Sequence, residues 1–156
     1  MRFSAEHETM KVCVINGPNL NLLGTREPGV YGTTTLREMN RMVRREARAR
    51  GMRVRFFQSN HEGRLVDKIQ SLRRGGYTGL IINPGALTHY SYAVRDAVAA
   101  VSPEGIRVIE VHLSDIHGRE EFRRTSVIKD VCEAQISGRG PAGYVEALDI
   151  LSRPSG

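Results

Sequence analysis

The stretch TLREMNRMVRREARARGMRVRFF, running from Thr35 to Phe57, decides the fold. It opens on a capping box. At the spacing of Thr35 and Glu38, the threonine oxygen and the glutamate can each satisfy one backbone N–H that a helix leaves orphaned at its start. Leu36, Met39, Val43 and Ala47 then recur at helical spacing, and Gly51 ends the helix. Arg53-Val-Arg-Phe-Phe57 follows as a strand, and upstream Lys11-Val-Cys-Val-Ile15 is an apolar, β-branched run of strand length. Strand, helix and strand therefore succeed one another across the first third of the chain.

The alternation continues. Leu65, Val66, Ile69 and Leu72 mark a second helix, stopped by Gly75-Gly76, and Gly79-Leu-Ile-Ile82 is a third strand. Ala93, Val94, Ala97, Val98 and Val101 mark a third helix, followed by Pro103, and Ile106 to Val111 is a fourth strand. The pattern predicts a short helix around Arg119 to Arg123 and a fifth strand from Val131 to Ser137. Pro141 opens a last helix carrying Tyr144, Ala147, Leu148 and Leu151. Such alternation predicts an α/β protein, a parallel sheet covered by helices on both faces with right-handed crossovers. Five strands favour a flavodoxin-like three-layer sandwich with strand order 2-1-3-4-5, in which ligands bind beyond the carboxyl ends of strands 1 and 3. Strand 4 is next in line.

The chain has 156 residues, which fits one domain, read here as residues 11–152 between a loose tail at 1–10 and a short one at 153–156. Hydrophobic content of 40% and charged content of 26% are ordinary for a globular protein and exclude wholesale disorder. No apolar run approaches the ~18 residues needed to span a bilayer, and MRFSAEHETM has no apolar stretch that would make a secretory signal. The two cysteines, Cys13 and Cys132, lie far apart in no metal-binding or redox spacing, so a reduced, cytoplasmic protein is expected. The net charge is +6, and eight arginines fall between Arg37 and Arg55. A solvated helix face explains that run better than a nucleic-acid patch, because the segment has no aromatic residue until Phe56 and no RNA-binding signature appears. A basic cleft that gathers an acidic small molecule accounts for part of the bias.

Three polar clusters fall at the carboxyl ends of strands 1, 3 and 4. After the first strand come the 17 residues from Asn16 to Gly32, NGPNLNLLGTREPGVYG, without periodicity. A loop that long in a small domain reads as a functional lid, with Leu20, Leu22 and Leu23 as anchors. It lacks the glycine spacings of a nucleotide cradle. After the third strand, NPGALTH places Asn83 and His89 around a tight Pro-Gly turn. The fourth strand runs into EVHLSDIHGR, where Glu110 and His112, two apart, point to one face and form a candidate acid/base dyad. Ser114 and neighbouring backbone N–H groups can hold a carboxylate. Arg119 and Arg123, four apart, are expected on one face of a short helix. Together the clusters offer amides, imidazoles, arginines and the phenol of Tyr31, with no cysteine nucleophile and no evident metal set. The three lysines, Lys11, Lys68 and Lys129, all fall elsewhere, which argues against Schiff-base chemistry.

At these residues the chain resembles type II 3-dehydroquinate dehydratase, the small flavodoxin-like dehydroquinase. The resemblance rests on GPNLNLLG, REP and YG in the first loop, on FFQSNHEG, NPGALTH and EVHLS, and on the closing GYVEAL, from about Met10 to Leu151. It implies a lyase that dehydrates 3-dehydroquinate to 3-dehydroshikimate by anti elimination through an enolate, without cofactor or metal. In its terms Tyr31 is the base, Arg26 the lid arginine beside it, and Asn19 the residue that positions a water stabilising the enolate. His112, held by Glu110, is the acid. Asn83, His89 and Arg123 bind ring hydroxyls, and the Leu113 N–H and Ser114 form the carboxylate pocket. Asp96 is brought to the site by a neighbouring subunit of a dodecamer made of trimers. A phenol of pKa about 10 is a poor base near neutrality, and a cation within a few ångströms favours its phenolate. Asp115 stands where asparagine is expected and Gly118 where alanine is frequent; Asp115 adds a negative charge near the carboxylate pocket. The residues also leave open the same reaction serving quinate catabolism, a non-catalytic anion-binding module and a basic nucleic-acid-binding protein.

Overall fold

Side chains alternate across each strand, so one run of apolar residues supplies two cores. In the computed structural model, which describes residues 8–155, Val12 and Val14 of the first strand point to one face of a sheet, and Cys13 and Ile15 to the other. The sheet has five parallel strands: β1 (Lys11–Asn16), β2 (Arg53–Gln58), β3 (Gly79–Asn83), β4 (Arg107–His112) and β5 (Ala134–Ser137). Their order is β2-β1-β3-β4-β5, the order expected from the alternation. The helices are α1 (Pro28–Tyr31), α2 (Leu36–Ala49), α3 (Glu62–Ser71), α4 (Tyr92–Val101) and α5 (Ala142–Ser152).

On the first face α2 and α5 pack Met39, Val43, Ala47, Tyr144, Leu148 and Leu151 against the strands. On the second, α3 and α4 pack Leu65, Ile69, Val94, Val98 and Val101. β3 is buried along its whole length, and β1 and β4 are buried beyond their first residues, as expected for central parallel strands covered on both sides. The capping box at the start of α2 is complete: the Glu38 N–H donates to the Thr35 hydroxyl, and the Thr35 N–H donates to the Glu38 carboxylate. Among the described residues no helix is long and apolar enough to cross a membrane. The expected N-terminal tail lies outside the described residues except for Glu8 to Met10, and the Met10 carbonyl already accepts the Arg53 N–H. Of the C-terminal tail, Gly156 lies outside them as well.

Three local expectations are corrected. β5 begins at Ala134 rather than Val131, because Lys129–Val131 forms a 3₁₀ turn and pairing with β4 starts only as the Glu133 N–H reaches the Val108 carbonyl. No helix spans Arg119 to Arg123. Arg119 is extended and only Glu121–Arg123 makes a single 3₁₀ turn, since the segment has no apolar stripe to bury. The loop after β1 is more ordered than its sequence suggests. It holds a 3₁₀ turn at Leu20–Leu22 and the one-turn helix α1, with Leu20 and Leu23 buried as anchors but Leu22 exposed.

The loops after β1 and β3 touch at Gly17. Its N–H donates to the Asn83 carbonyl at 2.8 Å, and a Cβ there would lie 2.3 Å from the carbonyl oxygen of Pro84. Neither backbone can yield without moving the strand ends. Gly17→Ala should cost about 1–3 kcal/mol in urea unfolding, the scale of overpacking. Gly63→Ala, in the open first turn of α3 with nothing within 4 Å, should be neutral or slightly stabilising.

Candidate active site

A cavity of about 160 Å³ opens at the carboxyl edge of the sheet, at the switch point between β1 and β3 and beside β4. The loop after β1 contributes Asn19, Arg26 and Tyr31. The ends of β3 and β4 and the turns that follow them contribute Asn83, His89, His112, Leu113 and Ser114, and the next loop adds Arg119 and Arg123. Nine of the residues predicted for the site thus gather in one place. Glu110 stands behind His112, out of the cavity. Asp96 is exposed on α4 and does not line the cavity of this chain.

Asn19 has a left-handed backbone, φ 69°, which its N–H fixes by donating to the Asn60 side chain at 2.9 Å. Gln58 in turn donates to Asn60 and to the Gly17 carbonyl, so the end of β2 braces the first loop. Asn83 is held from below. Its amide donates to the Tyr144 hydroxyl at 3.1 Å, and that hydroxyl donates to Asn16 at 2.6 Å. Asn16 and Asn83 are register partners on β1 and β3, and α5 brings a wholly buried Tyr144 between them. Burial pushes the Tyr144 phenol well above its usual range, so it remains a neutral donor.

His112 Nε2 meets Glu110 Oε1 at 2.7 Å. With the carboxylate ionised, Nε2 carries a hydrogen and Nδ1 is the nitrogen left for a ligand. His89 Nδ1 donates to the Thr125 carbonyl at 2.7 Å, leaving Nε2 free. Partial burial pushes the His89 imidazole down, with His112 and Arg123 adding to the effect against the Thr125 hydrogen bond, so this ring is neutral at pH 7 and Nε2 is an acceptor.

Tyr31 departs from the expected pairing. Arg26 lies beside the ring, 5.4 Å from its centroid, but its ion pair is with Glu27 at 3.5 Å. The guanidinium on the phenol oxygen belongs to Arg119, whose Nη1 donates to it at 2.6 Å. Arg119 reaches Tyr31 because its backbone is extended rather than helical, a feature that arginine spacing could not reveal. Asp115 is exposed, caps the next turn by accepting the His117 N–H, and does not line the cavity. The carbonyls of Leu113 and Ser114 are tied to the loop after β5. Lys11 is bound to the Gly75 carbonyl and the Tyr77 ring, away from the cavity. Among the described residues no three His, Cys, Asp or Glu side chains gather to hold a metal ion.

The sequence profile of the family described as Dehydroquinase class II matches residues 10–152. The chain belongs to the class II dehydroquinases. It is 51% identical over 146 residues to the 3-dehydroquinate dehydratase of Thermotoga neapolitana, covering 94% of this chain and 97% of the relative. The crystal structure of type II dehydroquinase from Butyrivibrio crossotus superposes with a TM-score of 0.90 at 49% identity, covering 93% of this chain and 99% of that one. The corresponding structure from Propionibacterium acnes gives 0.86 at 37% identity.

Four neighbours in this dehydroquinase are not marked by motif or spacing: Arg119 as the partner of Tyr31, and Thr88, Ser126 and Gln135 as donors to Glu110. Gln135 is a polar residue of β5 that the strand register sets opposite Glu110. Ser126 sits in an irregular segment and carries no signal. Burial pushes the Glu110 carboxyl up, but the hydrogen bond and charge of His112, with the Ser126 and Thr88 hydroxyls, outweigh it and hold the group below its ordinary 4.5. A depressed carboxyl contributes stability above its unfolded pKa and loses it as pH falls through the folded value. Acid titration of unfolding free energy should therefore show the parent losing stability below about pH 4.5, with Glu110→Gln flatter over the same range.

Proposed function

We propose that this chain is a lyase that dehydrates 3-dehydroquinate to 3-dehydroshikimate in the shikimate pathway, the route to aromatic amino acids, by anti elimination through an enolate. One domain over residues 11–152 carries the activity, without cofactor or metal. The observation that bears most weight is the pairing of a phenol with a guanidinium and of an imidazole with a carboxylate in one cavity. Family membership and the relatives named 3-dehydroquinate dehydratase supply the substrate.

Tyr31 takes the proton alpha to the ketone, and the C–H electron pair moves onto the carbonyl as an enolate. Arg119, already on the phenol oxygen, stabilises the negative charge there before the proton is taken. Arg26 stands by as the lid arginine, and Asn19 holds the water that stabilises the enolate oxygen. The enolate then collapses, the C–O bond breaks, and His112 gives the Nδ1 proton to the departing hydroxyl, which leaves as water. An imidazole bound to Glu110 through Nε2 can do this only as the cation, which the carboxylate supports. His89 accepts from a ring hydroxyl through Nε2, Asn83 and Arg123 bind the others, and Leu113 N–H and Ser114 take the carboxylate. Three arginines on the cavity wall suit an anionic substrate. A non-catalytic module is not favoured, since Tyr31, Arg26 and His112 are all present, and nothing in the family or in the names of the relatives favours the quinate-catabolic role.

In the proposed enzyme the chains assemble as a homododecamer of trimers in the cytoplasm, with Asp96 completing the site of a neighbouring subunit. Asp96 shares a face of α4 with Tyr92, one turn earlier, and Tyr90, Tyr92 and Phe122 are all more than 60% exposed. Aromatic exposure on that scale beside an acidic residue suits a protein contact. Light scattering of the active enzyme should give a mass of several chains, and Asp96→Ala should lower turnover; a fully active monomer would refute the shared site.

Purified protein should convert 3-dehydroquinate to the conjugated enone, followed in the ultraviolet, in EDTA and without added cofactor. Tyr31→Phe keeps the ring and removes the base, so turnover should fall by several orders of magnitude with the fold intact. Arg119→Gln should lower turnover less and move the acidic limb of the pH–rate profile upward, because less phenolate forms at a given pH. Arg26→Gln should lower turnover with that limb in place. The opposite pattern would return the activating role to Arg26, and substantial turnover in Tyr31→Phe would place the base elsewhere.

A further inference from the structure

Glu110 has no accessible surface, yet its carboxylate is met by donors from four parts of the chain. His112 Nε2 approaches Oε1 from β4 itself. Thr88, in the 3₁₀ turn after β3, and Ser126, in the segment before β5, place their hydroxyls on the same oxygen at 2.5 and 2.6 Å. Gln135 Nε2 donates to Oε2 at 2.8 Å from the facing position on β5. Ser126 is itself fixed, accepting the Lys129 N–H at 3.1 Å and lying 3.1 Å from the Thr88 hydroxyl. None of the three lines the cavity.

We propose that Thr88, Ser126 and Gln135 are positioning residues for proton delivery, holding Glu110 ionised and in one orientation so that His112 presents Nδ1 to the cavity as a cation. The inference rests on the reading of His112 as the acid. Burial alone favours a neutral carboxyl. A protonated Glu110 would accept weakly from Nε2 and leave an imidazolium with no counter-charge where water is excluded. Three further donors oppose that protonation, and they make a rotated carboxylate lose several hydrogen bonds at once. The other groups nearby do not take over the task. Burial and the charge of Glu110 push the Cys132 thiol up to about 12, so it is neutral. His89 is pushed down and neutral. Arg95 of α4 is bound to the Val127 carbonyl, and Arg123 pairs with Glu120. Glu110 is thus the carboxylate that balances His112.

The test uses Thr88→Val, Ser126→Ala and Gln135→Met in the full chain, assayed with 3-dehydroquinate across pH. Each variant loses one hydrogen bond to a buried charge, so Glu110 balances the His112 cation less well, and the alkaline limb of kcat, where the acid must carry its proton, should move down by about one to two pH units. Near neutral pH kcat should fall while KM stays within about twofold, because no substrate contact is removed. A protonated-carboxyl infrared band should appear at higher pH in the variants than in the parent, and vanish when Glu110→Gln is added. Ser126→Thr, which keeps a hydroxyl, should restore the limb. Variants that keep the parental limb and kcat, or that raise KM with kcat intact, would overturn the proposal. If His112→Ala also keeps full turnover, it is the acid assignment that fails. If His112→Ala is inactive while the three variants behave as the parent does, only the positioning role falls.

Discussion

A charged carboxylate with no contact to water organises one side of this site. An isolated buried carboxylate costs several kcal/mol even after relaxation, and each hydrogen bond to a charged group returns about 1.5–3 kcal/mol. Glu110 therefore requires a ring of donors, and they come from β4, β5, the turn after β3 and the segment before β5. Satisfying one side chain fixes the relative placement of four pieces of backbone. The same segments carry His89 and Arg123, since His89 is bound to the Thr125 carbonyl and the Thr88 carbonyl accepts from Val127. A demand set by desolvation thus arranges the groups that face the cavity.

The other side rests on the close approach of β1 and β3. Gly17 against Pro84 lets two loops leave adjacent strands without diverging, and the Asn16–Tyr144–Asn83 network pins both strand ends to α5. Buried networks of this kind are stabilising when their members are satisfied, and here the Tyr144 hydroxyl both accepts and donates while Asn83 Oδ1 accepts the Gly85 N–H. The lid carries fewer such ties. Leu20 and Leu23 anchor its start, whereas the segment through Glu27 to Val30 is exposed and Glu27 takes a left-handed backbone. Just past that segment, Tyr31 is tied to the rest of the site by its hydrogen bond from Arg119. Tyr31 and Arg119 sit on different loops, so their contact depends on where the first loop lies.

Charge divides along the same lines. The cavity gathers arginines, while most of the arginines between Arg37 and Arg55 lie on α2 and β2, where Arg50 ties α2 to Asp149 of α5. The basic character of the chain is in part a property of that surface and in part a property of the site. Only the second part bears on an anionic substrate.

Much of the architecture was legible in the residues themselves. Periodicity of 3.6 in α2 and α4, β-branched runs in β1 and β3 and the Thr35–Glu38 cap are local signals, set by backbone sterics and by neighbours a few positions away. Alternation of strand and helix then dictates a parallel sheet, and the crossover rule leaves few orders to choose from. Motif spacing placed Tyr31, His112, Asn83 and Arg123 at one edge for the same reason. What the sequence could not determine were contacts between residues far apart in the chain. Arg119 on Tyr31 spans 88 positions, and Tyr144 on Asn16 spans 128. Arg119 and Arg123 read locally as one helix face, but a phenol from the lid and the lack of an apolar stripe held Arg119 extended. Ser126 has no periodicity to mark it and acquires its partner only because the loop before β5 folds over a carboxylate that must be kept from water. Local sterics write the elements into the sequence, and the cost of burying charge and polar groups decides, only in the assembled fold, which side chains meet.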